Sequence, residues 1–445
     1  MTVLLLSTYD LGRQPFGLAS PAAWLRRAGL EVRTIDLSRE AFDPHAVRAA
    51  DVVAIHLPMH TATRLAVPVI ERIRRDHASI RIVAYGVYAP PNDAYLRTLG
   101  VNAVLGPEAE ADLVAFVTGH GVSLDGRPLP RLPFITPARD GLPPLARYAS
   151  LQLPTGARRV VGYTEATRGC KHRCRHCPIV PVYNGQFRVV PPDVVLADIR
   201  AQVAAGAEHI TFGDPDFFNG PTHARRIVEA LAREWPDLTY DVVVKIEHIV
   251  RYPELTAVLR DTGCLFITSA VESVDDEVLR RLEKGHTRAD FERAAASLRQ
   301  LGLPLVPTFV AFTPWTTLRG YLEMLDGIEG LDLVEHVAPV QLAIRLLIPQ
   351  GSRLLDLEEI QAVIGPFDAG QLAYPWRHPN PRVDRLQLDI MALIGRRLTA
   401  ARADLFAAVR ALACDSDEAS QVPRRPPPPR VARAAVPYLN EPWYC

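Results

Sequence analysis

Three cysteines crowd into one short stretch, Thr167-Arg-Gly-Cys170-Lys-His-Arg-Cys174-Arg-His-Cys177-Pro, which carries the densest concentration of reactive side chains in the chain. Thiolates spaced four and then three residues apart can wrap three irons of a cubane and leave the fourth iron without a protein ligand. An open iron can bind a substrate. The same residues allow a second reading, structural zinc with His172 or His176 completing a tetrahedron. Zinc knuckles usually present two separated ligand pairs, and the chain has no second pair, so the spacing favours iron. The other cysteines are scattered. Cys264 opens an apolar run and reads as an inert core thiol, Cys414 falls in a helical pattern without a nameable partner, and Cys445 stands last.

This C-x-x-x-C-x-x-C stretch, directly after a predicted strand, resembles the signature of the radical SAM superfamily. The resemblance implies that Cys170, Cys174 and Cys177 hold a [4Fe-4S] cluster whose open iron chelates the amino and carboxylate groups of S-adenosylmethionine. One-electron reduction then breaks a carbon–sulfur bond of the sulfonium. His176 stands where an aromatic residue commonly precedes the last cysteine, and its ring still offers a flat face.

Further matches follow in chain order over residues 160–355. Phe212-Gly213-Asp214-Pro-Asp216-Phe217-Phe-Asn219 resembles the motif that binds the SAM amino group through backbone carbonyls, which implies roles for Gly213 and Asp214. Out of context the same residues read as a turn. Lys245 and Glu247 fall near the expected ribose position. Ser269-Ala-Val-Glu272-Ser273, followed by Lys284-Gly285, resembles a stretch of members with a cobalamin-type first domain, and Glu272 there could bind a ribose hydroxyl or a substrate. Pro307 to Pro314 occupies the place of an adenine-contacting motif. Gln341 to Arg345, then Pro349-Gln-Gly351-Ser352, matches the end of a sixth strand, where Arg345 could pair with the SAM carboxylate in a bidentate contact. The only lysines, Lys171, Lys245 and Lys284, all lie in this segment.

The elements that must position these residues show an α/β pattern. In the first 120 residues, β-branched runs at 3–7, 31–36, 52–56, 81–85 and 102–105 alternate with amphipathic stretches at 20–28, 61–75, 93–99 and 108–117. This predicts a Rossmann- or flavodoxin-like domain over 1–120. A Pro-, Gly- and Arg-rich linker follows over 121–158. Alternation resumes with strands at 160–164, 209–212, 240–246, 265–271, 305–312 and 340–347, predicting a partial (βα)6 barrel over 159–355 with ligands at the strands' carboxyl ends. A helical extension over 356–420, with one helix at 383–414, precedes a Pro-rich tail over 421–445.

The first domain resembles, in position and length, the cobalamin-binding domain that precedes many radical SAM domains. The loop expected to supply a cobalt-ligating histidine is Thr8-Tyr-Asp10-Leu-Gly12-Arg-Gln-Pro-Phe-Gly17, and it has none. Base-off cobalamin and a domain that merely packs on the barrel both remain open, and His56 and His60 read as structural or solvent-facing. The tail Pro437-Tyr-Leu-Asn-Glu441-Pro-Trp443-Tyr-Cys445 resembles the start of the tail in a radical SAM group named for a terminal Cys-(Cys or selenocysteine)-Ala-Glu-Pro motif. That resemblance implies a sulfur or selenium pair including Cys445, able to bind a thiophilic element such as arsenic, and 3-amino-3-carboxypropyl transfer to it. One expectation is that the codon after Cys445 is UGA, read as selenocysteine in the cell.

Fifty acidic and fifty basic residues cancel, so no one-signed field points to nucleic acid or a membrane surface. Six cysteines in 445 residues are too few for a disulfide scaffold, which points to a reducing, cytoplasmic setting. The expected partners are a small-molecule substrate and a reductant such as flavodoxin or ferredoxin. The readings left open are a radical SAM enzyme, its cobalamin-dependent methyltransferase variant, and a non-catalytic zinc or iron–sulfur binding module.

Overall fold

The computed structural model describes residues 1–120, 129–397, 400–416 and 436–440. Five parallel strands open the chain: β1 (Thr2–Ser7), β2 (Glu31–Asp36), β3 (Val52–His56), β4 (Arg81–Tyr85) and β5 (Ala103–Leu105), in the order β2-β1-β3-β4-β5. That order is the flavodoxin-like doubly wound arrangement, with its switch point between β1 and β3. Strand alternation divides the apolar residues between two faces. Leu4, Leu6, Val53 and Ile55 pack with Ala66, Ile70 and Ile73 on one side, while Val3, Leu5, Val52 and Ala54 pack with Leu18, Leu25 and Leu113 on the other. A short helix at Pro44–Ala49 escaped the sequence reading; Asp43 caps it by accepting from the His45 and Ala46 amides, with Pro44 in its first turn.

The second sheet comprises β6 (Ser150–Gln152), β7 (Arg158–Thr164), β10 (His209–Phe212), β11 (Thr239–Val243), β12 (Cys264–Glu272), β13 (Leu305–Phe309) and β14 (Tyr438–Leu439). Its order is β13-β12-β11-β10-β7-β6-β14. Strands β7, β10, β11, β12 and β13 are parallel and form a curled half-barrel. Its core joins Ile210, Tyr240, Val242 and Ile267 to Ile227, Leu259, Phe291 and Leu298 from the intervening helices. A small antiparallel pair, β8 (Thr167–Gly169) with β9 (Phe187–Val189), brackets the cysteine loop.

Two expectations are corrected. No sixth strand forms over 340–347: Pro339–Leu342 is a 3-10 turn, and a single parallel bridge between Phe312 and Arg345 marks the strand's place. The Gln341 side chain accepts from the Phe309 amide at 3.0 Å, so an amide side chain replaces the next strand's carbonyl. The expected helix at 383–414 is two helices, Pro381–Arg396 and Arg402–Ser416. Within the stretch read as a linker, β6 pairs with β7, and Arg139 bonds both Asp198 of the barrel and Gln14 of the first domain.

Candidate iron–sulfur site

The cysteine loop leaves the carboxyl end of β7 through Glu165 and Ala166, and the residues after β10 hold it there. Asp214 accepts from the Ala166 amide at 2.9 Å and from Thr167 Oγ1 at 2.6 Å. Asn219 donates to the Gly169 carbonyl at 3.1 Å and accepts from the Lys171 amide at 3.2 Å. Gly169 has φ 75°, and a Cβ there would meet the Tyr183 ring at 2.3 Å, so only glycine passes. Gly213 is similarly confined, because a Cβ would collide with Tyr163 Oη at 1.8 Å. The Arg175 amide donates to the Leu282 carbonyl at 2.9 Å, tying the far side of the loop to the barrel.

Cys170 and Cys174 are buried and Cys177 is half-buried; all three are free thiols. Burial pushes the Cys170 thiol up to about 12 and the Cys177 thiol up to about 11. Three free thiols on one loop, two of them buried, are the donor set of a metal centre. They fit a [4Fe-4S] cluster.

Beside them, Glu272 at the end of β12 accepts from Lys284 Nζ at 3.2 Å, and its Oε1 lies 3.0 Å from His176 Nε2. Burial alone would raise the Glu272 carboxyl, but Lys284 and His176 bring it down to about 2. The buried Lys284 ammonium is held charged by Glu272 and by Cys174 and Cys177. It is therefore a fixed counter-charge to thiolate ligands.

The residues singled out from the sequence do not all converge. Gly213, Asp214, Lys245 and Glu272 surround the loop, with Asp214 under it and Lys245 Nζ 3.4 Å from Glu247 Oε2. Arg345 is held elsewhere: it bonds Asp384 Oδ1 and the Trp376 carbonyl, each at 2.7 Å, and stacks over the Trp376 ring. Cys445 lies outside the described residues. Two groupings were missed. One is Arg168 with its carboxylates; the other is His172 with Asp216 and His248, for which the motif around Asp216 was the one available signal.

Arg168 joins the start of the cysteine loop to the first domain. Its guanidinium, nearly inaccessible, bonds Glu110 at 2.7 Å, Ser20 at 3.0 Å and Glu165 at 3.1 Å, with Glu108 at 3.3 Å. At this same carboxyl edge of the first sheet, His56 is packed on Gly17 so tightly that a Cβ there would fall 2.0 Å from the ring. Burial drives the His56 pKa down to about 3. These residues fit direct docking of the first domain on the barrel, and His56, buried and packed on Gly17, is not presented as a cobalt ligand. A groove of about 560 Å³ lined by Glu31, Arg33, Thr34 and Gly141 shares no residue with the cysteine loop.

Residues 164–317 match the radical SAM superfamily, and the chain carries a radical SAM domain on the half-barrel just described. Within that class, the chain is 26% identical over 182 residues to the ribosomal protein uS12 methylthiotransferase RimO of Desulfosudis oleivorans, covering 38% of this chain and 40% of the relative. It is 25% identical over 155 residues to the hopanoid C-3 methylase of Methylococcus capsulatus, covering 35% and 30%. The chain thus spans less than half the length of these curated relatives. In fold it is similar to apo OxsB, a cobalamin-dependent S-adenosylmethionine radical enzyme, with TM-score 0.71 and 16% identity over 93% of this chain and 71% of that one. It is also similar to the radical S-adenosylmethionine methyltransferase TsrM of Kitasatospora setae, with TM-score 0.65, 16% identity and 88% of each chain covered. These likenesses extend the shared fold across the first domain as well as the barrel. No helix among the described residues is long and apolar enough to cross a membrane.

Proposed function

We propose that the chain is a radical SAM enzyme that holds a [4Fe-4S] cluster on Cys170, Cys174 and Cys177 and reductively cleaves S-adenosylmethionine to drive a radical reaction on a small molecule. The observation that carries this reading is the presentation of three free thiols, two of them buried, from one loop at the carboxyl end of β7. When bound, the cluster supplies one electron to the sulfonium, so that a carbon–sulfur bond breaks and a carbon radical forms.

The protein's own residues have separate tasks. Asp214 and Asn219 fasten the loop, and Lys284 offsets thiolate charge. Glu272 is a positioning residue that holds both Lys284 and His176. Gly213 keeps its backbone free of a side chain where the family's motif binds the SAM amino group.

Anaerobic reconstitution with iron and sulfide tests the proposal. Four irons per chain and SAM-dependent cleavage products are expected; bound zinc without cleavage would leave only a binding module. The cleavage product then divides two chemistries. 5′-Deoxyadenosine marks hydrogen abstraction, whereas methylthioadenosine marks transfer of the 3-amino-3-carboxypropyl arm to a thiophilic element such as arsenic. Cobalt at one per chain in active enzyme would instead support cobalamin-dependent methylation.

A further inference from the structure

His172, Asp216 and His248 come from three separate places: the cysteine loop, the turn after β10 and the helix Ile246–Arg251 after β11. The fold brings one ligand atom of each within 4.8 Å of the others. His248 Nδ1 is 2.6 Å and His172 Nε2 is 3.5 Å from the same oxygen, Asp216 Oδ2, and the two imidazole centroids are 4.9 Å apart. Asp216 and His248 are 0% exposed, and the His172 side chain keeps 16%.

Proximity at such distances normally means hydrogen bonds. These are close ion-pair contacts and not well-aligned hydrogen bonds: Asp216 Oδ2, His172 Nε2 and both ring nitrogens of His248 are buried, and none makes a hydrogen bond of good geometry. The Nδ1 of His248 is close to the carboxylate, yet its N–H direction misses the oxygen. Buried polar groups left without good partners are costly, and native interiors rarely tolerate several together. Three buried donor atoms gathered within 4.8 Å and poorly aligned for bonding one another suit a shared cation.

The surroundings are those of a metal site. The other carboxylate oxygen, Asp216 Oδ1, accepts from the Phe218 and Lys245 amides, which fixes the direction of Oδ2. His172 Nδ1 has Glu247 Oε2 at 3.8 Å, and Glu247 is held in turn by Lys245. A carboxylate behind a ligating imidazole orients the ring and raises its basicity. Two imidazoles and one carboxylate select a borderline metal over magnesium or calcium, which require more oxygens.

We propose that His172, Asp216 and His248 form a mononuclear site for a divalent transition metal, zinc or ferrous iron, separate from the three cysteines. With three protein ligands the metal keeps an open coordination position, on the partly exposed side of His172. That position can take water or a carboxylate or thiolate group of a bound molecule.

The test uses the full chain, reconstituted anaerobically with iron and sulfide, desalted, given one equivalent of zinc chloride and desalted again. Elemental analysis should give one zinc beside four irons. Asp216→Asn and His248→Gln should each lower retained zinc at least tenfold while keeping four irons. Zinc K-edge X-ray absorption on the unaltered protein provides an arm that needs no variant: nitrogen and oxygen neighbours near 2.0 Å, with no sulfur, are expected. No retained zinc, zinc gained at the expense of iron, a sulfur shell, or full zinc retention by a variant would each overturn the proposal.

Discussion

Glu272 Oε1 lies 3.0 Å from His176 Nε2 although 96 residues separate the two. The contact ties the last turn of the cysteine loop to the end of β12. There Glu272 has φ 69°, and the pairing of β12 with β13 shifts register between Ala270 and Glu272. A non-glycine residue in the left-handed region persists where its surroundings over-determine it, and Lys284 is the second partner that does so.

Glu272→Gln should therefore destabilise the fold by roughly 3 kcal/mol, because it leaves the buried Lys284 ammonium without its carboxylate. The pH dependence has a defined sign. Burial raises the Glu272 carboxyl, but Lys284 and His176 outweigh it and set the folded value at about 2, below the ordinary 4.5. The pair's contribution is present above about 4.5 and is lost as pH falls toward 2. Urea unfolding between neutral and acid pH should show a steeper decline for the parent than for the variant; parallel declines would remove this pair from the acid response.

Arg168→Met should cost about 3–5 kcal/mol, since Glu108 and Glu110 would stay buried without the guanidinium that pairs with both. Arg168→Lys should fall nearly as far. A single ammonium cannot reach Ser20, Glu108, Glu110 and Glu165 together, as the planar guanidinium does. The denaturant midpoint measures both; an unchanged midpoint in the methionine variant would mean that other contacts hold the domains together.

Much of this architecture was legible because it is local. The strands at 31–36, 52–56 and 81–85 coincide with β2, β3 and β4 because each is a short β-branched run bounded by turn residues. That three cysteines share one short loop also follows from their spacing alone. Tertiary partnerships were not legible. Nothing near Arg345 in sequence announces Asp384 or Trp376, and its placement at a strand end suggested a ligand contact. The expected sixth strand gave way to a 3-10 turn because Gln341 and Pro339 sit where backbone donors and acceptors would have to pair. Strands β8 and β9, three residues each, are too short for any periodicity to register.

Arg345→Met tests that displaced reading. The guanidinium lies 3.4 Å from the Trp376 ring centroid and 2.7 Å from Asp384 Oδ1, partly exposed. A cation–π contact of about 1 kcal/mol and a partly exposed ion pair of about 0.5 kcal/mol suggest a loss of roughly 1–2 kcal/mol in stability. SAM affinity, measured by anaerobic equilibrium dialysis, should change less than twofold. A tenfold loss of affinity with unaltered stability would return Arg345 to the cofactor.

Cys174→Ala and Cys264→Ala separate ligand cysteines from structural ones. Cys264 lies at the start of β12 in the barrel core, where its thiol donates to the Phe266 carbonyl and burial holds it protonated, its pKa well above the ordinary value. Removing that sulfur leaves a small apolar void costing about 1 kcal/mol, with no route to the cluster loop. Cys174 is central to the loop, with its carbonyl accepting from the Cys177 amide at 3.2 Å and its sulfur among the charges that keep Lys284 protonated. Two remaining thiolates cannot close three corners of a cubane. After identical anaerobic reconstitution, Cys264→Ala should retain four irons and SAM cleavage, whereas Cys174→Ala should fall to background in both. Iron lost from the Cys264 variant with its fold intact, or retained in full by the Cys174 variant, would assign the metal to a different set of cysteines.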